Sequence, residues 1–114
     1  MKIERFEDIE TWKKAKELTL VLYEVFKNHN DFAFKNQILR AGISIMNNIA
    51  EGFERQTNKE FKQFLYISKG SCGEVRSMLH IAKELKYIDD YKFESIFELS
   101  LTISRMLSGF IKKL

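Results

Sequence analysis

The 114-residue sequence has no proline and only five glycines. Nothing in it locks a backbone dihedral or removes a ladder donor, so helices can run long wherever the apolar pattern supports them. Cysteine occurs once, at Cys72, which excludes an internal disulfide. Histidine occurs twice, and neither His29 nor His80 has a Cys, Asp or Glu at a diagnostic ligand spacing. A di-iron bundle would need Glu-x-x-His pairs, but Phe26 and Ser77 stand three residues before the two histidines. Neither a metal nor a cofactor is expected. The chain also lacks any run near the roughly 18 apolar residues of a membrane span. Lys2–Asp8 has no apolar core of the kind that a signal peptide carries. The expectation is a cytoplasmic protein with no membrane partner.

What is present is ordinary for a folded chain: 45% hydrophobic and 31% charged residues, with a net charge of +3. The 19 basic residues are interspersed with 16 acidic ones, so the small excess permits an anionic partner without demanding one. Periodicity predicts four helices, over about residues 8–28, 35–52, 58–86 and 91–113. The third organises the rest. It opens with a capping box, Thr57 and Glu60, and places Phe61, Leu65, Cys72, Val75, Leu79 and Ala82 on one face.

Helix 1 presents Trp12, Ala15, Leu18, Thr19, Leu22, Val25 and Phe26 on one face, and helix 2 presents Ile38, Ala41, Gly42, Ile45, Ile49 and Ala50. Helix 4 carries Ile96, Ser100, Ile103, Leu107, Phe110, Ile111 and Leu114 inward, with Asp89 or Asp90 as its cap. Gly52 is expected to end helix 2 as a left-handed residue. Phe32 and Phe34, ahead of that helix, are expected to fold back on the core as a plug. Short connections and the lack of a strand signal give an all-α fold, a single-domain antiparallel up-down-up-down four-helix bundle.

Helix 3 carries more than a core face. A second apolar set, Phe64, Ile67, Met78, Ile81 and Leu85, widens its band beyond the roughly 100° that a surface helix needs. Two readings stand open. Either helix 3 is the most central of the four, or Ile67 and Ile81, with Leu20, Val21 and Leu101 elsewhere, belong to a subunit interface. On the opposite flank, cations recur every seven residues at Arg55, Lys62, Lys69, Arg76 and Lys83, with Tyr66, Gly73 and His80 between the last four. Cations one or two turns apart around an aromatic suit phosphates and a stacked base. The same pattern also arises where long basic side chains snorkel off a core.

Catalytic chemistry has no visible carrier. Gly70–Gly73 lies inside a helix, where small residues allow close packing rather than cradle a phosphate. No serine or cysteine can be assigned a base, and Glu51 and Glu74 read as salt-bridge partners rather than as an acid and a base. No catalytic residue is expected, and the protein is not expected to be an enzyme.

The segment Ser44–Phe53 (SIMNNIAEGF) resembles the bacterial four-helix-bundle proteins encoded by intervening sequences inside 23S ribosomal RNA genes. The likeness extends through Phe6–Ala15 (FEDIETWKKA), Gln37–Ala41 (QILRA), Lys59–Tyr66 (KEFKQFLY), Gly70, Ser71, Glu74 and Ala82–Leu85 (AKEL). It spans essentially the whole chain, and Asn48–Gly52 in this context is a specific part of it. Met46 departs from the pattern, which commonly has proline there, so a helix 2 kink usual in the family is expected to be absent or softened. The resemblance implies a left-handed bundle and assembly into a ring, a pentamer. Related accessory proteins of diversity-generating retroelements have a similar bundle and ring and associate with nucleic acid and a reverse transcriptase.

Arg40, Ser44, Asn48 and Glu51 match the family pattern and line one polar strip of helix 2. Helical rise puts Arg40 and Glu51 too far apart to pair, so each is expected to bond a neighbouring helix or subunit, with RNA contact as the alternative. The reading that follows is a non-enzymatic homo-oligomer that binds structured RNA or another nucleic acid. Arg55, Lys62, Lys69, Arg76 and Lys83 would contact phosphates, and Tyr66 would stack on a base. The alternative is a structural adaptor ring whose partner is a protein. Leu20, Val21, Ile67 and Ile81 are the candidate subunit contacts.

Overall fold

The computed structural model describes residues 2–114. A short 3-10 turn, Phe6–Asp8, leads into four helices: α1 (Glu10–Phe26), α2 (Phe32–Phe53), α3 (Asn58–Glu84) and α4 (Asp90–Lys113). No strand occurs among the described residues. Three helix starts are written locally. Asp31 accepts the Phe34 N–H at 3.1 Å, Thr57 the Glu60 N–H at 3.1 Å, and Asp89 the Lys92 N–H at 2.7 Å. At Thr57 the box closes through the side chains, because the hydroxyl also donates to the Glu60 carboxylate at 3.1 Å.

Contacts between helices fall in reverse numerical order. Thr19 Oγ1 donates to the Gly42 carbonyl at 3.1 Å, and Phe26 packs on Phe34 with ring centroids 5.4 Å apart. Ser44 and Ser71 share a hydrogen bond of 2.8 Å, and Ser68 donates to the Ile45 carbonyl at 2.6 Å. The Cys72 thiol donates to the Ser100 carbonyl at 3.1 Å, and Phe61 meets Phe110 edge-on at 5.2 Å. Consecutive helices therefore run antiparallel, each of α1 and α3 touches both α2 and α4, and α1 and α3 stand diagonally across the core. The 27 residues of α3 span about 40 Å at helical rise, nearly the whole 43 Å length of the molecule.

The apolar face of α3 lies at the centre of the core. Leu65, Cys72, Val75, Leu79 and Ala82 have no exposed surface, and they face Leu18, Leu22, Phe26, Ile38, Ile45, Ile49, Ile103 and Leu107, which have none either. Three buried hydroxyls on this core are spent on backbone carbonyls, Thr19 on Ala15 and Gly42, Ser68 on Ile45, and Ser100 on Phe97.

Three expectations need correction. First, α2 begins at Phe32 rather than near residue 35, because Asp31 caps it; Phe32 and Phe34 form its first turn instead of a plug. Phe34 is buried, whereas Phe32 points to solvent. Second, Gly52 does not end α2, which continues to Phe53, and no described glycine has a positive φ. Gly52 serves close approach instead: a Cβ there would stand 2.7 Å from Phe64 Cβ and 2.9 Å from Phe61 Cδ1. Third, α1 is shorter than 8–28 at both ends, since the 3-10 turn precedes it and a turn follows Phe26.

Among the described residues the left-handed one is Lys86, with φ of 61°, just past the end of α3. Around it the Tyr87 N–H reaches back to the Ala82 carbonyl at 2.8 Å and the Lys86 N–H to Lys83 at 3.0 Å, the paired bonds of a Schellman close. A lysine Cβ is crowded in that conformation, whereas glycine is not. Lys86→Gly is therefore expected to stabilise the protein by about 0.5–1 kcal/mol, after allowing for the extra freedom of glycine in the unfolded chain. A lower urea midpoint in the variant would contradict this account of the turn.

Beyond that turn the two loops at this end of the bundle are tied together. The Tyr87 hydroxyl donates to Asp31 Oδ2 at 2.6 Å, and His29 lies against the Tyr87 ring at 4.1 Å. The Tyr87 hydroxyl, and then the Phe34 N–H, hold the Asp31 carboxyl below its ordinary range. The same carboxylate pushes the Tyr87 phenol up. Stability from the tie is thus present through neutral pH. It is lost in acid as the pH falls through the depressed Asp31 value, and in alkali as it rises through the elevated Tyr87 value.

Candidate nucleic-acid interface

Seven-residue spacing brings Lys62, Lys69, Arg76 and Lys83 onto one flank of α3, drifting slowly around it. That flank is the one beside α4. His80, within the same strip, packs against Phe93 and Phe97 with centroids 5.4 Å away in each case. Lys62 is half-buried and Lys69 exposed, and neither forms an ion pair among the described residues. Tyr66, one turn from each of them, is 58% exposed. These three side chains therefore lie side by side, two cations flanking one exposed ring.

The remaining cations are engaged inside the molecule. Lys83 Nζ stands 4.6 Å above the Phe93 ring, a cation–π contact. Arg76 is half-buried, and its guanidinium donates weakly to Cys72 Sγ at 3.8 Å. Burial pushes the Cys72 thiol up to about 11, with Arg76 opposing, so the thiol stays protonated and unreactive at neutral pH. Arg55 is set apart altogether. It lies in the α2–α3 connection, pairs with Glu51 at 3.0 Å and Glu60 at 3.9 Å, and covers the Phe64 ring at 4.8 Å. Phe64 faces Gly52 of α2, so Arg55 sits on the other side of α3 from Lys62 and Lys69.

The family described as 23S rRNA-intervening sequence protein matches residues 7–109, from the 3-10 turn into the last turns of α4. The chain belongs to this family. It is similar to a protein of unknown function from the S23 ribosomal protein family of Bacteroides thetaiotaomicron VPI-5482, known from a crystal structure. The two share 28% identity and a TM-score of 0.85, over 90% of this chain and 98% of that one. No curated protein matches the chain significantly.

In this member of the family the polar strip of α2 splits into parts. Asn48 Nδ2 donates to the Ser44 carbonyl at 2.8 Å and to Ser44 Oγ at 2.9 Å, and Ser44 pairs with Ser71, so these residues clasp α2 to α3. Glu51 belongs to the Arg55 cluster, while Arg40 is exposed and makes no ion pair among the described residues. Across the α2–α3 contact Glu74 accepts from Gln37. At Met46 α2 is one continuous helix and the side chain packs on the core, so no kink interrupts it.

Leu20 is 60% exposed on α1, and Ile67 and Ile81 are each 51% exposed on α3, whereas Val21 is half-buried against the core. Since α1 and α3 are diagonal, these are two separate patches rather than one. Two cations of α4, Arg105 and Lys112, escaped the sequence reading although both are exposed. Their signal was compositional: α4 has no carboxylate from Leu99 onward. Among the described residues no group of three or more His, Cys, Asp or Glu side chains is placed to hold a metal ion. No described helix is long and apolar enough to cross a membrane.

Proposed function

We propose that this family member is a non-enzymatic cytoplasmic bundle that assembles into a homo-oligomeric ring and binds RNA or another nucleic acid along the α4 side of α3. The observation that carries the reading is Lys62 and Lys69, without internal counter-charge, on either side of the exposed Tyr66 ring. Lysines so placed bind phosphates and release condensed counterions, while the ring accepts a base face. Log affinity for a structured RNA fragment is expected to fall linearly with log salt, with a slope of roughly −2 to −4. The triple charge reversal Lys62→Glu, Lys69→Glu, Arg76→Glu is expected to abolish binding while circular dichroism stays helical. Undiminished binding by that folded variant would refute the reading.

Ring assembly draws support from the separation of the apolar patches. A chain carrying one patch on α1 and a different one on the diagonal α3 suits head-to-tail contact, which closes into a ring when the rotation allows. The pentameric number comes from the family resemblance. Replacing Ile67 and Ile81 together with aspartate is expected to lower the oligomer mass seen by light scattering. An unchanged mass in the folded variant removes both residues from the interface.

A second reading, an adaptor ring with a protein partner, is favoured by the loop end of the bundle. Phe32, Leu85 and Tyr91 are all exposed there, Tyr91 by 81%. Capture of a protein partner that resists salt, with no nucleic acid bound, would favour it.

A further inference from the structure

The basic flank changes character along its length. Phe61 meets Phe110, Cys72 meets Ser100, and His80 meets Phe93 and Phe97. This antiparallel register brings Lys62 level with Lys112, and Lys69 level with Arg105. Between Phe61 and Gly73 α3 has no carboxylate, and α4 has none from Leu99 onward. Glu60 turns instead to Thr57 and Arg55, and Glu74 to Gln37. Glu84, Asp89, Asp90, Glu94 and Glu98 all belong to the opposite half of the helix pair. One half of the α3–α4 face is therefore purely cationic, and none of Lys62, Lys69, Arg105 and Lys112 makes an ion pair among the described residues. Snorkelling accounts for the half-buried Lys62, whereas Lys69, Arg105 and Lys112 are exposed.

Tyr66 decides which form of nucleic acid suits this half. Its ring is 58% exposed and stands one turn from both lysines, and it takes part in no aromatic pair with the other described rings. A duplex keeps its base faces inside its own stack and leaves such a ring idle, whereas a single strand can offer a splayed base. Resting on the nucleic-acid reading above, we infer that the carboxylate-free half of the α3–α4 face is the seat of a single-stranded segment. Lys62, Lys69, Arg105 and Lys112 take its phosphates and Tyr66 takes one base.

The test compares a short unstructured oligouridylate with a blunt RNA duplex of the same strand length, titrated with the full chain over a salt series. Four phosphate contacts give an expected slope of about −3 on the single strand. The folded pair Arg105→Gln, Lys112→Gln is expected to bring that slope to about −1.5 and to weaken binding at least about tenfold at low salt. Tyr66→Leu is expected to weaken the single strand by about tenfold with no change of slope, and to leave any duplex binding alone. If Lys62→Gln, Lys69→Gln weakens binding but the Arg105 and Lys112 pair changes nothing, the nucleic-acid reading stands and the two-helix seat is overturned. A duplex bound as tightly as the single strand, with Tyr66→Leu silent, overturns the single-stranded assignment. Failure of the wild type to bind either RNA removes both.

Discussion

Truncating Phe26 to alanine is expected to lower stability by about 3–5 kcal/mol, the range for a large aromatic removed from a core that cannot collapse. Phe26 has no exposed surface and ends α1. Its ring packs edge-on against Phe34 at 5.4 Å and near His29 at 6.3 Å, and both of those rings also meet Tyr87. The hole left behind would be walled on two sides by segments that are each held by their own hydrogen bonds. The first turn of α2 is pinned by the Asp31 cap, and the α3–α4 loop by the Tyr87–Asp31 tie and the Schellman close. Moving either of these walls inward breaks one of these bonds, so the cavity persists. Against a total of about 5–15 kcal/mol, the loss removes a large part of the folded-state margin. Phe32→Ala, at the start of α2 but facing solvent, is the control and is expected to change stability by less than about 0.5 kcal/mol. Urea midpoints measure both. A loss below about 1 kcal/mol at Phe26 would mean that this end of the bundle opens independently of the core.

The same glycine-to-alanine change is expected to act with opposite signs at two places in the α2–α3 pair. At Gly52 the new methyl would meet Phe64 Cβ at 2.7 Å and Phe61 Cδ1 at 2.9 Å. A Cβ is fixed to the backbone and cannot rotate away, so the two helices must spread where they turn. That overpacking is expected to cost about 1–3 kcal/mol, outweighing the gain of up to about 1 kcal/mol in helix propensity. At Gly70 the methyl would meet nothing within 4 Å. There only propensity acts, and the isolated chain is expected to gain about 0.5–1 kcal/mol. Gly70 lies between Ile67 and Ile81 along the outer side of α3, so the proposed ring adds a further expectation. If a neighbouring copy packs closely on that side, Gly70→Ala stabilises the chain while weakening assembly. Equal signs at the two glycines in the thermal midpoint of the monomer would contradict the packing described for Gly52.

The residues that were legible in advance share a physical property: each depends on neighbours within one or two turns of its own helix. The stripe from Phe61 to Ala82 is a periodicity of α3 alone, and all of it is buried. Thr57 and Asp89 act on donors three residues ahead, so their caps were visible as local patterns. The phasing of Lys62, Tyr66 and Lys69 is likewise internal to one helix. Gly52 was misread because a glycine near a helix end has a local meaning, left-handed termination, and a long-range one, close approach. Only the arrival of Phe61 and Phe64 selects the second. Arg55 continued the seven-residue count but stands outside the helix that gives that count a geometric meaning, and Glu51 and Glu60 draw it to the other side. Arg105 and Lys112 come level with the lysines of α3 through the register of α3 against α4. Interhelical packing sets that register, through contacts such as Phe61 with Phe110 and Cys72 with Ser100. Local hydrogen bonding and periodicity thus settled in the chain itself that there are four helices and which face of each is apolar. Which cations of α3 and α4 share a surface followed from side chains far apart in sequence meeting across the bundle.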